Sequence, residues 1–125
     1  MSTQRPAITI LEKDSAAREM YCRELAQEYD VFPCANLSEA RRVLEQHAVN
    51  LLVLETADFG PGGWGFFREM KAEPRSANIP VIVCSTREVR DAEIKKELAA
   101  CLVKPVLPSE LSLAVRHVLE NVLKK

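Results

Sequence analysis

The chain contains short runs of consecutive apolar residues, and these runs predict the strands of the fold. Leu51–Leu54 is continuously apolar rather than alternating, which is typical of a strand buried on both faces of a parallel sheet. Ala7–Leu11 and Ile79–Cys84 have the same character, and Val31–Cys34 and Cys101–Val103 are shorter runs of the same kind. The pattern therefore predicts five strands, with Leu51–Leu54 near the centre of the sheet.

A segment of helical character follows each predicted strand. The first helix is expected to begin at Asp14 or Ser15 and to end near Glu28, and the second is expected to begin at the capping-box sequence Asn36-x-x-Glu39. The remaining predicted helices are Trp64–Lys71, Val89–Ala99 and Pro108–Val122. Strand and helix thus alternate along the whole chain.

This alternation predicts an α/β fold, because parallel strands need helical crossovers that cover the sheet. Five such apolar strands with five helices indicate a doubly wound five-stranded parallel sheet with right-handed connections. The sequence has no internal repeat and no linker-like segment that would divide it. Residues 1–125 are therefore expected to form a single domain with a core of about residues 7–123.

The composition limits the expected partners and location of the protein more than it limits its activity. Lys and Arg number 17 against 18 Asp and Glu, for a net charge of −1, so no basic field indicates nucleic acid or an anionic membrane as a partner. The four cysteines are widely spaced without a C-x-x-C pair, which favours reduced thiols and a cytoplasmic location. No signal peptide or membrane span is apparent.

Charged and hydroxyl residues stand where the apolar runs end. Glu12 and Lys13 follow the first strand, Glu55 the third, Ser85 the fourth and Lys104 the fifth. Because a parallel sheet places all its carboxyl ends on one side, these side chains are expected to share one rim, where open α/β sheets place their sites.

The order of these markers resembles the CheY-like receiver domains of two-component response regulators over about Ile8 to Leu123. In that family an acidic pair after strand one holds Mg²⁺, and an aspartate after strand three accepts phosphate. Strand four ends in Thr or Ser, and strand five ends in Lys-Pro. Glu12, Ser85 and Lys104-Pro105 match, and Pro61–Gly65 looks like the turn after strand three. The resemblance implies a flavodoxin-like fold with strand order 2-1-3-4-5.

Four departures from the family pattern affect the expected function. Glu55 replaces the phosphoacceptor aspartate, and Lys13 replaces the second metal-binding acid. The loop that contains Thr56–Gly60 is longer than usual, and Cys101 stands where the family has an aromatic switch residue. The resemblance thus implies an atypical, degenerate phosphorylation site.

The departures suggest a site that balances its charge without a metal. We expect Glu12 and Glu55 to face Lys13 and Lys104, so that cations of the chain replace Mg²⁺. Mg²⁺ requires oxygen ligands in octahedral geometry, so Glu12 and Glu55 offer at best a weak metal site, and no cofactor is expected. Glu55 would then mimic a phosphate in part, with about one negative charge against about −1.5 to −2.

Simpler interpretations exist for the same residues. Glu12, Glu55 and the lysines could form a structural ion-pair group with no signalling role. Ser85-x-x-Glu88 also fits a capping box, so Ser85 could simply begin a helix. His47 and His117 stand singly and are interpreted as surface residues rather than metal ligands.

Three functions are weighed on these grounds. The first is a receiver-like signalling module, not an enzyme, that binds a protein partner or itself through residues of Val89–Val103 and Pro108–Val122 without aspartyl phosphorylation. The alternatives are a conventional phosphoacceptor that uses Glu55 or Asp58, and a structural adaptor with no switch. A small enzyme or flavin-binding domain on this topology is disfavoured, because the segment after strand one has no glycine to cradle a phosphate.

Overall fold

The fold was described from a computed structural model, which describes residues 5–55, 61–87 and 89–123. Strands and helices alternate strictly within these ranges. The elements are β1 (Ala7–Leu11), α1 (Ser15–Leu25), β2 (Asp30–Cys34), α2 (Leu37–Gln46), β3 (Leu51–Glu55), α3 (Pro61–Ala72), β4 (Val81–Ser85), α4 (Ala92–Lys96), β5 (Ala100–Val103) and α5 (Pro108–Leu123). The predicted alternation of five strands and five helices is confirmed.

The strands form one parallel sheet in the order β2-β1-β3-β4-β5. The central strand β3 is fully buried along its length, as its continuous apolar sequence predicts. Register brings Leu11 beside Leu54 and Glu55 beside Cys84, so the strands end at nearly the same level. The predicted doubly wound architecture and strand order are therefore confirmed.

Alternate side chains of the strands enter two separate hydrophobic layers. One layer contains Ile10, Val53 and Ile82 of the sheet and is covered by α1 and α5. The other contains Leu52, Leu54 and Val83, and it is covered by residues of α2, α3 and α4. The largest side chains of this second layer are Phe66 and Phe67 of α3, which are 2% and 1% exposed. A sheet covered on both faces explains why the strands have no polar side.

Capping side chains define where the helices begin. Asp14 accepts a hydrogen bond from the Ala17 N–H at 2.8 Å, so it is the N-cap of α1. In α2 the Glu39 N–H donates to Asn36, and the Glu39 carboxylate accepts from the Ala35 N–H, one residue earlier than in the usual capping box. These caps fix the turns that leave the carboxyl ends of β1 and β2.

The structure differs from prediction at three helices. The first ends at Leu25 rather than near Glu28, and α4 is only Ala92–Lys96, because Asp91 caps its N-terminus and Glu97 its C-terminus. Helix α3 begins at Pro61, so Pro61–Gly65 is the first part of a helix and not the turn that the resemblance suggested. No helix within the described ranges is long and apolar enough to cross a membrane.

Candidate functional site

The carboxyl ends of four strands meet at one edge of the sheet, and the expected side chains lie there. Glu55 is the last residue of β3, and Ser85 is the last residue of β4. Glu12 and Lys104 follow β1 and β5 directly. Glu12, Glu55 and Ser85 are buried, with 2%, 1% and 8% of their surfaces exposed. The edge therefore carries a compact buried polar group, which we call the rim site: Glu12, Glu55, Ser85 and Lys104.

Lys104 is the cation that joins the two carboxylates. Its Nζ lies 2.8 Å from Oε1 of Glu12 and 3.8 Å from Oε1 of Glu55. Glu12 and Lys104 are 92 residues apart in the chain, so only the fold brings them together. The hydrogen bond to Glu12 is charge-assisted, and the more distant contact with Glu55 is an ion pair. The rim site is thus an ion-pair group with Lys104 at its centre.

The backbone after β1 holds Glu12 in place. Its Oε2 accepts a hydrogen bond from the Asp14 N–H at 3.2 Å, so both carboxylate oxygens have partners. Arg18 of α1 donates from Nη1 to the carbonyl oxygens of Glu12 and Lys13, at 2.8 and 3.2 Å. The guanidinium thereby fixes the turn from β1 to α1 and adds positive charge beside the rim site.

Lys13 does not take the place expected for it. Its side chain is exposed, and it makes no ion pair with any residue in ranges 5–55, 61–87 and 89–123. The predicted balance of two carboxylates by two lysines therefore differs from the observed geometry, in which Lys104 contacts both carboxylates and Lys13 contacts neither. The reason is local, because the side chain of Lys13 leaves the turn on the side facing solvent.

Ser85 contributes to the turn after β4 rather than to a helix cap. Its Oγ accepts a hydrogen bond from the Arg87 N–H at 3.2 Å, and its carbonyl accepts from the Lys104 N–H at 2.8 Å. The N-cap of α4 is Asp91, which accepts from the N–H groups of Glu93 and Ile94. The interpretation of Ser85 as the start of a helix is wrong, and Glu88 of that motif lies outside the described residues. Ser85 instead links β4 to the strand that carries Lys104.

Cys101 lies away from the ion pairs, on the opposite side of β5 from the α5 layer. It pairs in register with Val83 and is half-buried. Burial raises the pKa of its thiol, and the nearby charge of Lys95 lowers that pKa in part. A short neutral side chain therefore occupies the position that the resemblance assigned to an aromatic switch residue.

One predicted site residue cannot be placed. Asp58, the alternative acceptor, lies in residues 56–60, outside the described ranges. Within those ranges no three His, Cys, Asp or Glu side chains are grouped so that they could hold a metal ion. His47 and His117 are both exposed, as predicted, with His47 stacked on Phe32 and His117 beside Asn121.

Sequence reasoning missed two residues that support the rim site. Tyr21 of α1 is one, and its buried hydroxyl donates to the Val106 carbonyl at 3.0 Å. This bond ties α1 to the segment that follows Lys104, and burial is the main cause of the raised pKa of Tyr21. Arg18 was not singled out at all. The available signal was its position one turn into a helix that begins beside Glu12, where a long side chain reaches back to the turn.

Comparisons with known proteins were made at the level of sequence and of fold. No protein-family model matches the chain. A curated relative, the probable transcriptional regulator ycf27 of Porphyridium aerugineum, is 29% identical over 123 residues, which are 95% of this chain and 50% of that protein. The chain thus spans about half the length of this relative.

Solved structures give a closer match in fold than in sequence. A CheY-like receiver domain protein from Methanospirillum hungatei JF-1 has a TM-score of 0.84 at 18% identity, with 97% of this chain and 98% of that chain covered. Chemotaxis response regulator CheY4 of Vibrio cholerae has a TM-score of 0.80 at 18% identity, with 92% and 99% covered. A response regulator from Desulfuromonas acetoxidans has a TM-score of 0.77 at 25% identity, with 92% and 97% covered. The resemblance seen in the sequence is confirmed, and the fold of this chain is that of a CheY-like response-regulator receiver domain.

Proposed function

We propose that this chain is a receiver-like signalling module of a two-component or phosphorelay system that acts by protein–protein interaction without aspartyl phosphorylation. The observation that carries the proposal is the position of the Lys104 ammonium, 2.8 Å from Glu12 and 3.8 Å from Glu55. A cation of the chain thereby compensates the carboxylates at the place where the resembled family receives phosphate. The module is a binding protein in this proposal, not an enzyme.

Glu55 is a poor acceptor in this setting. Only 1% of its surface is exposed, and one carboxylate oxygen already lies 3.8 Å from the Lys104 ammonium. A glutamate also places its carboxylate one methylene farther from the backbone than an aspartate does. Glu55 can therefore supply a permanent negative charge near Ser85 and Lys104, although weaker than the charge of about −1.5 to −2 on a phosphate.

The donor set does not suit Mg²⁺. Glu12 already accepts from Lys104 through one oxygen and from the Asp14 N–H through the other. Mg²⁺ needs near-octahedral oxygen ligands, and replacing the second acid with Lys13 removes one of them. We therefore propose that the module works without a metal and without any other cofactor.

The proposed output surface is formed by α4, β5 and α5. Four of the five exposed large apolar side chains in the described ranges belong to β5, α5 and the segment between them: Val103, Leu107, Leu113 and Val122, at 51%, 61%, 65% and 48% exposure. Grouped apolar side chains on a surface favour protein contacts. Cys101 is too short to exchange between buried and exposed positions as a ring can. We therefore propose that a protein partner, or a second copy, binds this surface constitutively.

The decisive test is exposure to a small phosphodonor. Wild-type protein incubated with acetyl phosphate and Mg²⁺ is expected to gain no phosphoryl group, as measured by intact mass. The matched control is the double variant Lys13→Asp/Glu55→Asp, which restores both acidic positions and is expected to gain one. A phosphoryl group that maps to Glu55 or Asp58 in the wild type would contradict the proposal and support a conventional phosphoacceptor.

A further inference from the structure

A groove lies between α4 and β5, on the side of the sheet opposite α5. Its volume is about 350 Å³, and its lining includes Val89, Leu98, Cys101, Val103 and one cation, Lys95. We call it the α4–β5 groove. Pockets that hold drug-sized ligands have volumes of about 300 to 1,000 Å³, so this groove is suited to one ring and a short attachment.

The chain itself leaves the groove open. Helix α4 spans only Ala92–Lys96 and has no buried residue, so it does not cover β5 completely. Cys101 is half-buried but short, and Val103 next to it is 51% exposed. Two apolar strand positions are thus accessible beneath a short helix, and covering them would remove apolar surface from water.

The chemistry of the lining favours an aromatic ring over an aliphatic group. Lys95 is exposed and forms no ion pair with a residue in the described ranges, so its ammonium can lie against the face of a ring. The thiol of Cys101 is neutral at physiological pH because its pKa is raised, and sulfur makes favourable contacts with aromatic rings. The same ammonium attracts a carboxylate placed beside the ring.

In a second surface groove of the described ranges, the cations are already bonded within the chain. It lies between α2 and α3 with a volume of about 230 Å³, and its Arg41 is already bonded to Glu69 at 2.8 Å. Arg41 also lies over the ring of Phe66, at 5.6 Å from the centroid. Arg41 thus has an acid and a ring as partners, and Arg75, the second cation of that groove, donates to the Glu45 carbonyl at 3.1 Å. Lys95 of the α4–β5 groove forms no ion pair within the described ranges.

We propose that the α4–β5 groove binds one aromatic side chain of a different protein, with an acidic group next to the ring. A second copy of this chain is not the expected donor, because no Phe, Tyr or Trp within the described ranges is exposed. This inference rests on the proposed function, since α4 and β5 are part of the proposed output surface. It adds the chemistry by which the partner is recognised.

The experiment uses the isolated chain and phenylacetate, which carries a ring and a carboxylate. Amide chemical shifts are followed by NMR during titration, with cyclohexylacetate as a ligand of similar size and equal charge without a π face. Phenylacetate is expected to shift the amides of Leu98, Ala100, Cys101 and Val103 and to bind about three-fold more tightly than cyclohexylacetate.

Three variants locate the interaction. Lys95→Met is expected to weaken phenylacetate binding about three-fold or more, whereas Lys96→Met, which removes a neighbouring lysine that does not line the groove, should leave it unchanged. Cys101→Tyr should fill the groove and abolish the shifts. Equal affinity for both acids, shifts confined to other elements, or equal effects of the two lysine variants would each overturn the proposal. None of these outcomes depends on phosphodonor reactivity, so the groove and the proposed function can fail separately.

Discussion

At the scale of single residues, the rim site depends on one lysine placed against two buried acids. The desolvation of charges is costly, and a buried pair is tolerated only when its remaining hydrogen bonds are also made. Glu12 meets this condition, because Lys104 and the Asp14 N–H occupy its two oxygens. Cys84, which is beside Glu55 in the sheet, is an uncharged member of the same environment.

The raised pKa of the Cys84 thiol predicts how the stability of the protein changes at alkaline pH. Burial is the main cause that raises the pKa of its thiol from 9.0 to about 12. Because the folded pKa lies above the unfolded one, the thiol contributes stability below pH 9, and this contribution is lost as pH rises from 9 towards 12. Between pH 8 and 10 the loss from one such thiol is about 1.4 kcal/mol in the free energy of unfolding.

Denaturant unfolding at pH 8 and pH 10 measures this loss. Cys84→Ala is expected to be less stable than the wild type at pH 8 but to lose about 1.4 kcal/mol less between the two values. Cys34→Ala should behave similarly, because the pKa of Cys34 is raised to about 11 by burial. An unchanged difference between pH 8 and pH 10 in both variants would show that these thiols do not remain protonated in the folded state.

At the scale of elements, the turn between β1 and α1 is held from both sides. Asp14 caps α1 through the Ala17 N–H, and its own N–H binds Glu12. Arg18, one turn later, returns to the carbonyls of Glu12 and Lys13. The helix start and the rim site are therefore parts of one hydrogen-bonded turn, so the local capping signal also orients a site residue.

Removal of this cap should destabilise the protein without changing its fold. Asp14→Ala is expected to lower the free energy of unfolding by about 1 kcal/mol, because the Ala17 N–H loses its acceptor. Asp14→Asn keeps an acceptor oxygen and should cost only a few tenths of a kcal/mol. Thermal or denaturant unfolding of the three proteins checks the order. Equal losses for both variants would show that charge, rather than the hydrogen bond, is what the cap provides.

At the scale of the whole molecule, the parallel sheet assembles the rim site from four separate segments. Tyr21 joins α1 to Val106, and Arg116 of α5 pairs with Glu28 beyond the end of α1 at 3.0 Å. Both contacts connect the first β-α unit to the last. The position of Lys104 against Glu12 is therefore a property of the closed fold and does not follow from either segment alone.

This arrangement predicts that Mg²⁺ has no effect on stability. Millimolar Mg²⁺ should leave the melting temperature of the wild type unchanged, since an ion that does not bind the native state cannot stabilise it. Lys13→Asp restores an acidic pair with Glu12 and is expected to give a saturable rise in melting temperature. Differential scanning fluorimetry over a Mg²⁺ series measures both. A saturable shift in the wild type would mean that the rim site does hold the ion.

Most of the fold could be predicted from the sequence, because each buried strand appears as a continuous apolar run. Leu51–Leu54 and Ala7–Leu11 are too apolar for a half-exposed sheet, which indicates helices on both faces. Helix α4 was predicted too long, since Val89–Ala99 has helical composition throughout but Asp91 and Glu97 cap the helix inside that segment. The caps at Asp14 and Asn36 were predicted correctly, because they depend on neighbouring residues only.

The sequence by itself determined the strand order through its resemblance to receiver domains, and the rim through the residues that end each strand. It did not determine which charges meet there. Lys13 and Lys104 are the same residue type and both follow a strand. The side chain of Lys13 is exposed to solvent, whereas that of Lys104 contacts two buried carboxylates. The α4–β5 groove beside Cys101 likewise could be identified only from the tertiary structure. Contacts between distant segments depend on side-chain direction and on how completely each helix covers the sheet, and local sequence patterns encode neither.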